Sequence, residues 1–170
     1  MNYRLLLCIA LLCYQFISCA SSKTKTILSD SCDSIFVSKK TKTMFLYAQG
    51  KFIKSYTVSI GYNPQGHKLQ QGDNRTPEGL YTINDKNPNS AYFKNLGISY
   101  PNEADRKQAR KRKVSPGGDI KIHGYSDEYG RTNDWKTKYA YTWGCLGLTN
   151  EDMNEVYRIV KLGAKILISP

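Results

Sequence analysis

Short runs of alternating apolar and polar residues dominate the first half of the chain. Ser34-Ile35-Phe36-Val37, Met44-Phe45-Leu46-Tyr47 and Phe52-Ile53-Lys54-Ser55-Tyr56-Thr57-Val58 are rich in β-branched and aromatic residues, and Gln49-Gly50 sits between the last two as a turn. They predict a β-meander. Tyr62 to Gly79 is dense in Gly, Pro, Gln and Asn, which predicts a long loop closing on Thr76-Pro77-Glu78-Gly79. Leu80-Tyr81-Thr82-Ile83 alternates again and predicts a strand. From Asn84 to Gly118 no period stands out, apart from a short helix expected over Asn102 to Arg112. Asp119 to His123 predicts a strand that stops at Gly124.

The period changes near the C-terminus. Met153, Val156, Tyr157 and Val160 recur at i, i+3, i+4 and i+7, the spacing of one helical face. Thr149 or Asn150 is the expected cap, and Glu151 and Asp152 fall in the first turn, where the helix dipole favours anions. Gly163 is the expected C′ residue, after which Lys165-Ile166-Leu167-Ile168 returns to a strand. The fold class is therefore mainly β, with one C-terminal helix followed by a strand.

The N-terminus follows neither pattern. Arg4 is the sole charge before Lys23 and precedes the apolar run Leu5 to Phe16, which is too short to span a bilayer and suits a signal peptide over residues 1–20. Two endings fit. Ser18-Cys19-Ala20 offers small residues for cleavage after Ala20, and Phe16-Ile17-Ser18-Cys19 resembles a bacterial lipobox, which makes Cys19 a candidate lipidation site. A polar segment over 21–33 reads as a flexible tether, leaving one domain over 34–170.

Export changes the meaning of the composition. The 170 residues carry 25 Lys plus Arg against 14 Asp plus Glu, a formal net charge of +11. Such a balance favours an anionic partner, and for an exported chain that means an acidic envelope polymer or lipid headgroups rather than nucleic acid, for which no binding motif appears. Arg106, Lys107, Arg110, Lys111, Arg112 and Lys113 form the densest basic run. Of the five cysteines, Cys8 and Cys13 leave with the signal, so Cys32 and Cys145 either pair as a disulfide or leave Cys145 as a reactive thiol.

The candidate chemistry lies around Cys145 and His123. A thiol becomes a nucleophile when a base favours its thiolate, and histidine supplies that base near neutral pH. His123 ends a strand and is followed by Gly124, so the chain can turn and leave the imidazole at a cleft. Gly144 precedes the cysteine, and backbone N–H groups around Gly144 and Cys145 are candidate donors to an oxyanion. No cluster of metal ligands appears, and no cofactor is expected.

Ile122-His123-Gly124, then Thr142-Trp143-Gly144-Cys145-Leu146-Gly147-Leu148-Thr149-Asn150, then a capped helix and Gly163-Ala164-Lys165-Ile166-Leu167-Ile168, closely resemble the YkuD-type L,D-transpeptidase catalytic domain. Gly72-Asp73-Asn74-Arg75-Thr76-Pro77-Glu78-Gly79-Leu80-Tyr81 resembles the loop such domains place before the catalytic region, so the likeness covers about residues 34 to 168. It implies an L,D-transpeptidase-like β-sandwich and an exported cell-envelope enzyme acting on peptidoglycan stem peptides. The resemblance further implies that Cys145 attacks the carbonyl after the third stem residue and expels the terminal D-alanine, with His123 holding the thiolate as an ion pair and then acting as acid and base. A stem amine resolves the thioester in a transpeptidase, and water does so in an L,D-carboxypeptidase. The alternatives are an amidase-type wall hydrolase of the same family and a non-catalytic wall-binding lipoprotein.

The sequence departs from the family pattern at two places. Trp143 stands where histidine is frequent, and Gly147 where arginine is frequent. Thr142 and Trp143 are candidate substrate contacts, and Arg75 is a candidate partner for a stem carboxylate, since guanidinium binds carboxylates in two-point fashion. His67 reads as a solvated loop residue, and Glu78 as a residue that secures the loop through hydrogen bonds.

Overall fold

The computed structural model describes residues 31–126 and 141–170. The expected signal segment over 1–20, with Cys19, most of the expected tether and residues 127–140 between His123 and Cys145 lie outside the described residues. The meander is present as β1 (Cys32–Ser38), β2 (Thr43–Ala48) and β3 (Lys51–Thr57). β1 takes in Cys32 and Asp33, two residues assigned to the tether from their composition; Cys32 is buried, with 0% exposure, and pairs with Val160. The loop then follows a two-residue strand, β4 (Ile60–Gly61), and ends at β5 (Gly79–Ser90).

The segment without a clear period contains a hairpin and a helix. β5 runs on through Asn84 to Ser90, much longer than the four residues that alternate, and turns into β6 (Phe93–Ile98). α1 (Glu103–Arg112) follows, with Asn102 and Asp105 closing a capping box. Next come β7 (Lys121–His123), β8 (Tyr141–Thr142) and β9 (Leu146–Gly147). Thr149 caps α2 (Asn150–Ile159) by accepting from the Asp152 N–H, and β10 (Val160–Ser169) begins with no intervening turn. Gly163 is therefore not a helix C′ residue. It lies inside β10 at φ +83°, where the pairing with β1 shifts register between Cys32 and Ser34.

Eight strands form one sheet in the order β3-β2-β1-β10-β5-β6-β7-β9, and β4 pairs with β8 in a second, small one. The large sheet curls, so the two faces expected of a sandwich come from one continuous ladder around one core. Inward residues alternate as the period-2 pattern requires: Ile35 and Val37, Met44 and Leu46, Tyr81 and Ile83, Leu96 and Ile98, Ile166 and Ile168. α2 packs against β6 and adds Met153, Val156 and Ile159 to the same core. Among the described residues no helix is long and apolar enough to cross a membrane.

Two consequences position the site. The last four strands place β7 beside β9 in parallel, with Ile122 opposite Leu146 and His123 opposite Gly147. The long loop after β4 is pinned rather than loose. Lys39, 2% exposed at its side chain, binds the Glu78 carboxylate at 2.7 Å and the carbonyls of Gly66 at 2.6 Å and Thr76 at 3.3 Å. Asp73 accepts the N–H groups of Leu69, Gln70 and Arg75 and the Lys68 ammonium.

Candidate active site

Cys145 sits in a tight turn between β8 and β9, and the side chain two residues before Gly144 builds that turn. The Thr142 hydroxyl donates to the Cys145 carbonyl at 2.7 Å and accepts from the Gly144 N–H at 3.1 Å. Gly144 is at φ +130°, and a Cβ there would stand 2.8 Å from the Arg75 carbonyl oxygen. Only glycine meets both conditions. These bonds change two expectations. Thr142, which lines the cavity, engages its hydroxyl in the turn, and the Gly144 N–H is turned onto Thr142 and away from an oxyanion. Among the described residues no partner occupies the Cys145 N–H, which is left as the donor at the attacking residue.

His123 is 9% exposed and its Nδ1 lies 2.6 Å from the Gly124 carbonyl oxygen. A carbonyl only accepts, so Nδ1 carries the hydrogen and Nε2 keeps a free lone pair. Gly124 thus acts through its carbonyl; its own N–H donates to Lys94 in the β6 ladder and is not an oxyanion donor. Two aromatic rings border the imidazole, Tyr92 at 4.9 Å between centroids and Tyr125 at 6.1 Å, edge to face. Tyr125 is held by Asn150, whose side chain accepts from its N–H at 2.7 Å and donates to its carbonyl at 3.1 Å, and by a hydroxyl bond to Ser59 at 2.9 Å. A Cβ at Gly124 would collide with that Asn150 oxygen, and one at Gly147 with the Tyr125 hydroxyl.

Cys145 and His123 line one cavity of about 870 Å³. The Cys145 Sγ points at the Asp119 carbonyl, 3.6 Å away. Burial pushes the thiol up from its ordinary value, and the Asp119 carboxylate adds to this, against a Lys121 backbone bond and the Lys121 and Lys68 charges. Burial likewise pushes the His123 imidazole down, with the Lys121 ammonium acting in the same direction and the Gly124 bond opposing both. Both shifts favour the uncharged forms. These directions run against the ion pair that the sequence resemblance implied.

Trp143, 84% exposed, stands on the rim of this cavity. Arg75 is not brought to it. Its Nη1 reaches back to the His67 carbonyl at 3.5 Å and its backbone carbonyl packs closely on Gly144, so the guanidinium is placed off the cavity in which a stem carboxylate was expected to meet it. His67 is half-buried rather than solvated: Nδ1 accepts from the Glu78 N–H at 2.9 Å and Nε2 faces the Asp105 carboxylate at 3.1 Å. Cys32 is a free thiol in the core, donating to the Ser34 carbonyl at 3.2 Å, so the two cysteines do not pair. Tyr92, Asn95, Asp119, Lys121 and Tyr125 also line the cavity. Sequence reasoning missed them, because Tyr92 and Asn95 come from a hairpin with no readable period. Among the described residues there is no group of three metal-ligating side chains.

Comparison with known proteins adds the following. A family model for the L,D-transpeptidase catalytic domain, YkuD, matches residues 33–168. The Escherichia coli K12 protein named "Putative L,D-transpeptidase YafK" is 28% identical over 156 residues, covering 88% of this chain and 55% of that protein. The helical cell shape determining protein Pgp2 from Campylobacter jejuni superposes with a TM-score of 0.60 at 25% identity, over 83% of this chain and 51% of Pgp2. The L,D-transpeptidase from Mycobacterium smegmatis, at 13% identity, superposes with a TM-score of 0.51 over 80% of this chain and 58% of its own, a likeness of fold alone. The chain spans about half the length of the curated relatives it matches.

Proposed function

The chain belongs to the family of L,D-transpeptidase catalytic domains, and from that premise we propose that it is an exported cysteine acyltransferase acting on peptidoglycan stem tetrapeptides. The observation that carries the reading is the delivery of His123, at the end of β7, and Cys145, in the turn that enters the parallel neighbour β9, into one cavity, with the Nε2 lone pair of His123 left free. Nε2 takes the thiol proton as Sγ attacks the carbonyl after the third stem residue. The Cys145 N–H meets the developing oxyanion. The imidazolium then gives its proton to the departing D-alanine amine, and a thioester remains on Cys145. An amine or water then attacks that thioester, His123 takes its proton and hands it to the departing Cys145 sulfur, and the pair returns to its neutral form.

The test is turnover of a disaccharide-tetrapeptide by the parent and by Cys145→Ala. Release of D-alanine by the parent alone supports the reading, and equal release by both overturns it. Adding an acceptor stem to the same assay separates crosslinking from hydrolysis, the carboxypeptidase alternative. A thiol reagent applied to the folded protein labels Cys145 and spares the buried Cys32.

The envelope location and the basic partner surface belong to the same proposal. Cys19 is the lipidation site, so Cys19→Ala moves the protein to the soluble fraction. Unchanged fractionation points instead to cleavage after Ala20. The basic run occupies α1 and its cap, exposed, with Glu103 engaging Arg110 at 2.8 Å and Arg106 at 3.7 Å. None of its six residues lines the cavity. Neutralising them weakens salt-sensitive binding to anionic envelope polymer or headgroups and leaves turnover of small muropeptides intact.

A further inference from the structure

Asn95 is a polar side chain whose place in the fold no folding requirement explains. It lies in the interior of β6, 4% exposed, on the face opposite the core residues Leu96 and Ile98 of the same strand. Its Oδ1 is shut off from solvent and has no hydrogen-bond partner. Buried carbonyl oxygens in folded proteins are nearly always bonded, because an unmade bond costs the whole desolvation of the group. Two facts give the exception a direction. Asn95 is the antiparallel cross-strand neighbour of His123, so the two side chains leave the sheet side by side. Asn95 also lines the cavity that holds His123 and Cys145. The His123 ring does not satisfy the oxygen, since Nδ1 is committed to Gly124 and Nε2 carries no hydrogen in that tautomer.

We propose that the Asn95 carboxamide anchors the acyl-donor peptide, its Oδ1 accepting a main-chain N–H of the stem that enters the cavity. This rests on the reading of Cys145 and His123 as the reacting pair. A half-turn about the Cβ–Cγ bond, a broad torsion, exchanges the two ends of the carboxamide and turns the oxygen from its buried position. The unpaired acceptor is then a feature of the empty enzyme and is satisfied when the peptide is bound. Asn95 selects for a peptide N–H at this point: an ester or N-methyl analogue leaves the oxygen unpaired a second time and is rejected.

The experiment separates binding from stability. In a Cys145→Ala background, which cannot turn substrate over, a disaccharide-tetrapeptide is titrated calorimetrically against Asn95, Asn95→Leu and Asn95→Asp proteins, and each is melted without ligand. Leucine is close to asparagine in size and removes the unpaired acceptor, so Asn95→Leu keeps or raises the melting temperature while affinity falls roughly tenfold. Aspartate keeps an acceptor in place and recovers part of that loss. Asn95→Leu that binds as the parent does overturns the inference while leaving the acyl-transfer reading intact. A lower melting temperature with unchanged affinity also overturns it, because Asn95 would then serve the fold. A parent that neither binds nor turns over the muropeptide overturns both.

Discussion

The Nδ1 hydrogen of His123 is spent on the carbonyl of its own neighbour Gly124, at 2.6 Å. The bond places the hydrogen on Nδ1 and so leaves the lone pair on Nε2. Burial also pushes the imidazole down and the thiol up, which favours an uncharged pair and, on the proposed mechanism, transfer of the proton as the substrate is attacked. Thiolate ultraviolet absorbance at neutral pH is therefore expected to be the same in the parent and in Cys145→Ser. His123→Gln lowers turnover by roughly 10²–10⁴-fold, the usual contribution of acid–base help. A thiolate band that disappears with Cys145, or in step with His123, overturns the neutral pair.

The same shift predicts a pH dependence of stability. An unfolded histidine titrates near 6.5, and the folded ring titrates lower. As pH falls below about 6.5 the unfolded chain takes up this proton first, so the stability His123 contributes is present above that value and is lost through the window down to its folded value. The difference in urea midpoint between the parent and His123→Gln should accordingly shift against the parent between pH 7 and pH 5. A difference that does not change over that range means the ring is not held neutral.

Gly144 couples the nucleophile turn to the long loop. An added methyl meets the Arg75 carbonyl at 2.8 Å and the Ile120 side chain at 3.3 Å, in a backbone conformation that L residues rarely adopt. Gly144→Ala is expected to remove most activity, because relief of the clash moves Cys145 relative to His123. The checks are turnover and the labelling rate of Cys145, both of which should fall. Full activity in Gly144→Ala means the turn does not set the position of the sulfur.

How much of this was legible in the sequence follows from where the signal resides. The meander, β10 and α2 were readable because each buries one face, and the alternation of Ile35 and Val37 or the spacing of Met153 and Val156 records that burial. Cys145 and His123 were readable because glycines flank them in a recognisable order. The β5–β6 hairpin was not. Asn84 to Ser90 is a polar, proline-containing stretch of low strand propensity, and it is held extended by pairing with β6 through two register shifts. Tyr92 and Asn95 enter the cavity from that hairpin and were lost with it. Thr142 lines the cavity, but its role in the turn was not legible, because a hydroxyl beside a catalytic turn looks the same in sequence whether or not it bonds the backbone.

The last prediction concerns Lys39, which sits at the end of β1 and holds three separate points of the loop. Its ammonium is buried with Glu78, Gly66 and Thr76 as partners, and removing it strands a carboxylate and two carbonyls at once. Lys39→Ala should cost about 3–5 kcal/mol, the usual penalty for breaking a buried pair from one side. Glu78→Gln keeps an amide oxygen for the lysine to bond and should cost less. Because the loop carries the Arg75 carbonyl against Gly144, and the Thr76 hydroxyl that accepts the Gly61 N–H at 2.8 Å, loosening it reaches the nucleophile turn. Lys39→Ala is thus expected to lose activity at temperatures where it is still folded. Urea unfolding of the two variants, with turnover measured well below each midpoint, decides the matter. Equal losses of stability, or an Ala variant with parental turnover, would show that the loop holds its shape without the lysine.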